Sequence, residues 1–131
     1  MWLITSQGFY SVVAHGEDAS LVLVRARTQG DLLALRKQIP ALDLWEDPTA
    51  DYRWRAEVRR EDWHAAVAEL AAATDYGNFK SEVARCQGSR RAALYERVWS
   101  TLRALQDEAD LCPTASGPRE HSGSVPATCP R

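Results

Sequence analysis

Arg53 and Arg55, two residues apart in D-Y-R-W-R-A-E-V-R-R over residues 51–60, are the side chains whose type and spacing best suit chemistry. A guanidinium keeps its charge at any physiological pH and presents a planar set of donors that grips a carboxylate or phosphate through two bonds at once. Arg25 and Arg27 repeat the spacing in L-V-L-V-R-A-R over residues 21–27. If the two pairs share one face of a sheet, they form with Ser11 and His15 a surface for an anion. Otherwise they pair with Asp51, Glu57 and neighbouring acids on a solvated face. A second polar group, Asp75, Asn78 and Lys80 in D-Y-G-N-F-K, would serve a small enzyme if it met His15 or His64 across a pocket. Its plainer reading is turn and cap chemistry, with Gly77 left-handed and Asn78 or Asp75 capping the following helix. No G-x-S-x-G and no glycine-rich phosphate loop occurs. Cys112, His121 and Cys129 are too widely spaced for a structural zinc site. The residues thus point to no catalytic set, no metal and no cofactor.

The arginines need strands to carry them. Tyr52, Trp54, Ala56 and Val58 alternate with Arg53, Arg55, Glu57 and Arg59, the period of two of a strand with one dry and one wet face. Tyr52 and Trp54 then look into a core while the arginines look out, and truncating a buried Trp54 to Ala costs about 3–5 kcal/mol. Residues 9–15, F-Y-S-V-V-A-H, and 21–27 read as two further strands across a five-residue loop. Residues 2–4 are either a separate strand or the lead-in to the one at 9–15. Residues 42–46 make a short strand, and 47–50 turn it into the stretch at 51–60.

Thr28 opens a helix as a capping box in which the Asp31 carboxylate reaches back, and Pro40 stops it after Ile39. Trp63, Val67, Leu70 and Thr74 mark a second helix that starts near Glu61 and Asp62, and Phe79 and Val83 a shorter one. Leu94, Val98, Leu102 and Leu105, flanked by Tyr95 and Trp99, line a last helix whose broad stripe should pack on something large.

Four of the six prolines and no aromatic residue fall in residues 107–131, which cannot bury enough to offset their own ordering entropy and are expected to be a disordered Pro/Ser/Gly-rich tail. The other 106 residues form one α+β domain. Its fold is an antiparallel sheet of about four strands with helices on one face, in ββαββαα order, a ferredoxin-like variant whose last strand is supplied by residues 9–15. The tail carries Asp107, Glu108, Asp110 and Glu120 against Arg119 and Arg131, so the net charge of −2 belongs to it. Residues 1–106 balance at 14 of each sign, and no global field gathers the chain onto nucleic acid or an anionic membrane. Three cysteines without C-x-x-C spacing suit reduced thiols in the cytoplasm, and no apolar run is long enough to span a membrane.

A-D-Y-R-W-R at residues 50–55, D-Y-G-N-F-K at 75–80 and V-W at 98–99 resemble a group of small bacterial proteins that carry A-D-Y-R-[YW]-R and D-Y-x-N-F-K segments, often with Pro in place of Gly77. That group has no established activity, so the resemblance implies no residue role. Five tryptophans in a small body and the lack of a catalytic set lead to the expectation of a non-enzymatic protein-interaction or regulatory module, docking on another protein or on a copy of itself. Trp2 and Trp45 are expected at an edge or interface. The alternatives are nucleic-acid or anion binding through the arginine face, and a small enzyme.

Overall fold

A computed structural model describes residues 1–106; the expected tail lies outside the described residues. The elements are β1 (Trp2–Ile4), β2 (Phe9–Ala14), β3 (Leu21–Ala26), α1 (Gln29–Leu35), β4 (Trp45–Glu46), β5 (Trp54–Arg59), α2 (Arg60–Ala72), α3 (Phe79–Gln87) and α4 (Ser89–Leu102). Met1–Arg97 is one compact unit and carries the whole sheet; a second begins at Val98, and its described residues are helical through Leu102.

The fold is α+β, with a five-stranded sheet in the order β1-β2-β3-β5-β4 and every neighbouring pair antiparallel. β3 and β4, joined through α1, are separated by β5, and β2 lies on the far side of β3. This is a ferredoxin-like order with its final strand moved to the front. The strand beyond the four expected is β1, and the turn after it explains why residues 2–4 stand apart. Thr5 donates its N–H to the Gly8 carbonyl at 2.9 Å, and its hydroxyl oxygen accepts from the Gly8 N–H at 3.0 Å. A Cβ on Gly8 would stand 2.5 Å from the Tyr10 hydroxyl, so only glycine lets that buried ring through.

Tyr10, Val12, Val22, Val24, Ala26, Ala56 and Val58 point from β2, β3 and β5 toward α1 and α2, where Leu32, Leu35, Trp63 and Ala66 meet them. Leu32 and Leu35 are fully buried, each worth about 2 kcal/mol in transfer free energy. α1 ends at Leu35, short of Ile39, because successive N–H groups switch to carbonyls three residues back, Lys37 to Ala34 and Gln38 to Leu35. Ile39 still reaches the core. β4 is likewise shorter than residues 42–46: Leu42 bonds back to Ile39 in a turn and plugs the core, leaving only Trp45 and Glu46 to pair.

Three expectations about side chains are overturned. Tyr52 is buried, but it packs with Phe9, Arg25 and Arg27 on the face away from the helices, because β5 begins only at Trp54 and strict alternation does not extend back to the bend before it. Trp54 points to the core side as expected, yet it is only half-buried beside the two-residue β4. Its truncation should therefore cost less than that of a sealed indole. Leu94, Val98, Leu102 and Leu105 are all exposed, and α4 buries Tyr95 instead, stacked on Phe79 with ring centroids 6.1 Å apart.

Candidate functional site

The sheet face turned away from α1 and α2 holds Phe9, Ser11 and Val13 of β2, Leu21, Leu23 and Arg25 of β3, and Arg55, Glu57 and Arg59 of β5. No helix of the first unit covers it. Pairing draws one row across all five strands: Trp2 opposite Ser11, Ser11 opposite Arg25, Arg25 opposite Arg55, and Arg55 opposite Trp45. Residues directly opposite each other on neighbouring strands share a face. Four steps at about 4.8 Å make the row about 19 Å long. Trp2 and Trp45 occupy the two edge strands and are 68% and 42% exposed.

At the centre, Arg25 and Arg27 both lie over the Tyr52 ring, their guanidinium carbons 5.0 and 4.6 Å from its centroid. Arg25 donates to the Ser11 hydroxyl at 2.8 Å, and Arg27 to the Asp51 carbonyl at 3.0 Å. Ser11 is 2% exposed, so this buried hydroxyl is satisfied by the arginine. Arg25 Nε and the Tyr52 hydroxyl are shut from water without a hydrogen-bond partner among the described residues.

The other basic residues of the sheet have acids beside them. Arg53 pairs with Glu46; Arg55 lies 3.6 Å from Asp47 and donates to the Tyr52 carbonyl at 3.3 Å. Hydrogen bonds from the Thr49 hydroxyl and N–H hold the Asp47 carboxyl below its ordinary range, with the Arg55 charge helping. His15 Nδ1 accepts the Asp18 N–H at 3.0 Å, which places the ring proton on Nε2, 3.3 Å from the Glu57 carboxylate. That makes His15 a clasp between the loop and β5.

Asp75, Asn78 and Lys80 do not join this surface. Asn78 caps α3 by accepting the Ser81 N–H at 3.0 Å, and Lys80 pairs with Glu96 at 3.0 Å. Asp75 lines a separate cleft of about 450 Å³ with Lys37, Glu82, Arg85 and Cys86. His64 lines cavities with Trp63 and with Arg59, in neither of which these three residues stand. These cavities do not bring His64 together with Asp75, Asn78 or Lys80. In the cleft, Glu82 accepts from Arg85 and from the Cys86 thiol, which pulls its carboxyl down to about 2 and pushes the thiol up, away from the reactive thiolate. Among the described residues no three His, Cys, Asp or Glu side chains are grouped to hold a metal, and no helix is long and apolar enough to cross a membrane.

Sequence reasoning left open whether the two arginine pairs share a face, because register is a property of partner strands and not of any one segment. It placed Tyr52 in the core and missed the stacking with Arg25 and Arg27, for which the sequence offered no local signal. No family model matches the chain, no curated protein matches it, and no solved structure matches it.

Proposed function

We propose that the chain is a non-enzymatic interaction module of the cytoplasm that docks on a protein partner through the sheet face turned away from α1 and α2. The row from Trp2 to Trp45 supports this reading, with exposed indoles at both ends and guanidiniums between them. Tryptophan, tyrosine and arginine carry a disproportionate share of binding energy at protein interfaces. A second copy of the chain is the poorer occupant of this face, since stacking two such surfaces sets Arg25 and Arg27 against the same surplus charge.

The test is a photocrosslinking amino acid placed at Val13 or Trp45 of the sheet face and, as a control, at exposed Leu33 of α1. Adducts should form from the sheet positions with one partner which, once purified, binds the chain and loses affinity on Val13→Glu. Equal adducts from both faces, or none from the sheet, would remove this reading.

A second reading is favoured by one observation: aromatic and guanidinium groups share the row, as they do in grooves that hold single-stranded nucleic acid. Asp47 and Glu57 stand among them and repel phosphate, which puts this reading second. Fluorescence anisotropy with single-stranded RNA at two salt concentrations separates the two, because phosphate contacts give an affinity that falls steeply with salt.

A further inference from the structure

We infer that Arg25 is the anchor of the docking face and takes a carboxylate from the partner, so that the partner's contacting segment is acidic and lies along the row between Trp2 and Trp45. The inference rests on the docking reading and deepens it. Arg25 is half-buried, its Nε has no hydrogen-bond partner, and among the described residues no carboxylate lies within 4.0 Å of its guanidinium. A cation withdrawn from water without a counter-charge is costly, and the Tyr52 ring, which it shares with Arg27, offsets only part of that cost.

The chain's own nearby acids are already engaged. Glu57 holds His15, Glu46 holds Arg53, and Asp47 holds Arg55 and Thr49. Among the described residues no carboxylate is left for Arg25, and the partner supplies it. A run of phosphates would confront Asp47 and Glu57, whereas single carboxylates separated by apolar side chains meet Arg25 and leave the apolar groups for Trp2, Val13, Leu23 and Trp45. A bidentate carboxylate on a partly desolvated arginine is among the stronger polar contacts available.

The experiment follows tryptophan fluorescence of the full chain during titration with an acetylated, amidated decapeptide of alternating Glu and Leu. The Gln/Leu peptide and a ten-nucleotide oligothymidylate serve as comparison probes. The Glu peptide should bind, weaken as salt rises, and lose at least about tenfold in affinity in Arg25→Gln, with Arg53→Gln unchanged. Circular dichroism checks the fold of each variant. Should Arg25→Gln fail to fold, Val13→Glu reads the same surface from an exposed position and should weaken binding too. Equal binding of the Glu and Gln peptides, or affinity unmoved by Arg25→Gln, overturns the carboxylate anchor while leaving the docking face in place. Preference for the oligothymidylate overturns it in favour of phosphate. Binding by neither peptide overturns it as well, and the crosslinking from Val13 and Trp45 then decides separately whether the face docks at all.

Discussion

Asp31 has its partner sixty residues away, where no local pattern reveals it. Thr28 accepts the Asp31 N–H at 3.4 Å, so half of the expected capping box is present. The carboxylate does not reach back. It pairs with Arg91 of α4, while the Asp31 carbonyl accepts the Tyr10 hydroxyl at 3.0 Å. Burial pushes the Tyr10 and Tyr95 hydroxyls up from their ordinary values, so both stay protonated beside this pair. The Asp31 side chain is 2% exposed and that of Arg91 20%, so removing the arginine leaves a carboxylate with no water and no cation. Arg91→Ala should cost about 3 kcal/mol in urea unfolding, well above the 0–1 typical of a surface pair. A double variant with Asp31→Leu should recover part of that loss. A single-variant loss under about 1 kcal/mol would mean that Asp31 finds another partner or water, and the pair would then count as a surface contact.

At the scale of elements, the helix starts and the strand interiors were legible because their signals are local. Asn78 caps α3 as its type suggested, and Asn78→Ala should cost about 1 kcal/mol. Gly88, between α3 and α4, sits at φ 87° and ψ 161°, a region all but closed to residues with a side chain. Apart from its two chain neighbours, no described residue comes within 4 Å of where its Cβ would stand, so Gly88→Ala measures the backbone and should cost about 1–3 kcal/mol. Equal stability of wild type and Gly88→Ala in thermal melts would show that the junction relaxes. The alternation of Trp54 with Arg55 was also legible, since period two needs nothing beyond the strand itself. Strand order was not. The placing of β5 between β3 and β4, and the opposition of Arg25 to Arg55, depend on which strands meet. Tyr52 was misplaced for a related reason: the alternation begins at Trp54, and the sequence does not mark that start. The candidate surface was thus half readable, its arginines nameable but their common face and their stacked tyrosine hidden in the pairing.

At the scale of the whole molecule, the balance of charge in residues 1–106 turns attention from net field to individual carboxylates. Glu82 is pulled down to about 2, chiefly by hydrogen bonds from Arg85, and Asp18 and Asp47 are lowered by the hydroxyl and N–H groups of Ser20 and Thr49. A carboxyl whose folded value lies below its unfolded one binds fewer protons when folded, so its stabilisation is complete above the unfolded value of about 4 and is lost as pH falls through the folded value. All three are open to solvent, so the acid limb should be gentle and should flatten further in salt. Tyr10 and Tyr95 act in the opposite sense. Their raised values make the folded state hold protons more tightly, so their contribution is complete below about pH 10 and is lost above it. Urea midpoints followed by tryptophan fluorescence should therefore show a plateau from about pH 5 to 9, a shallow fall toward pH 2 and a steeper one above pH 10. Glu82→Gln should flatten the acid limb, and Tyr10→Phe should do the same at the alkaline end. A midpoint that rises as pH drops from 5 to 2 would reverse the sign that the three lowered carboxyls require.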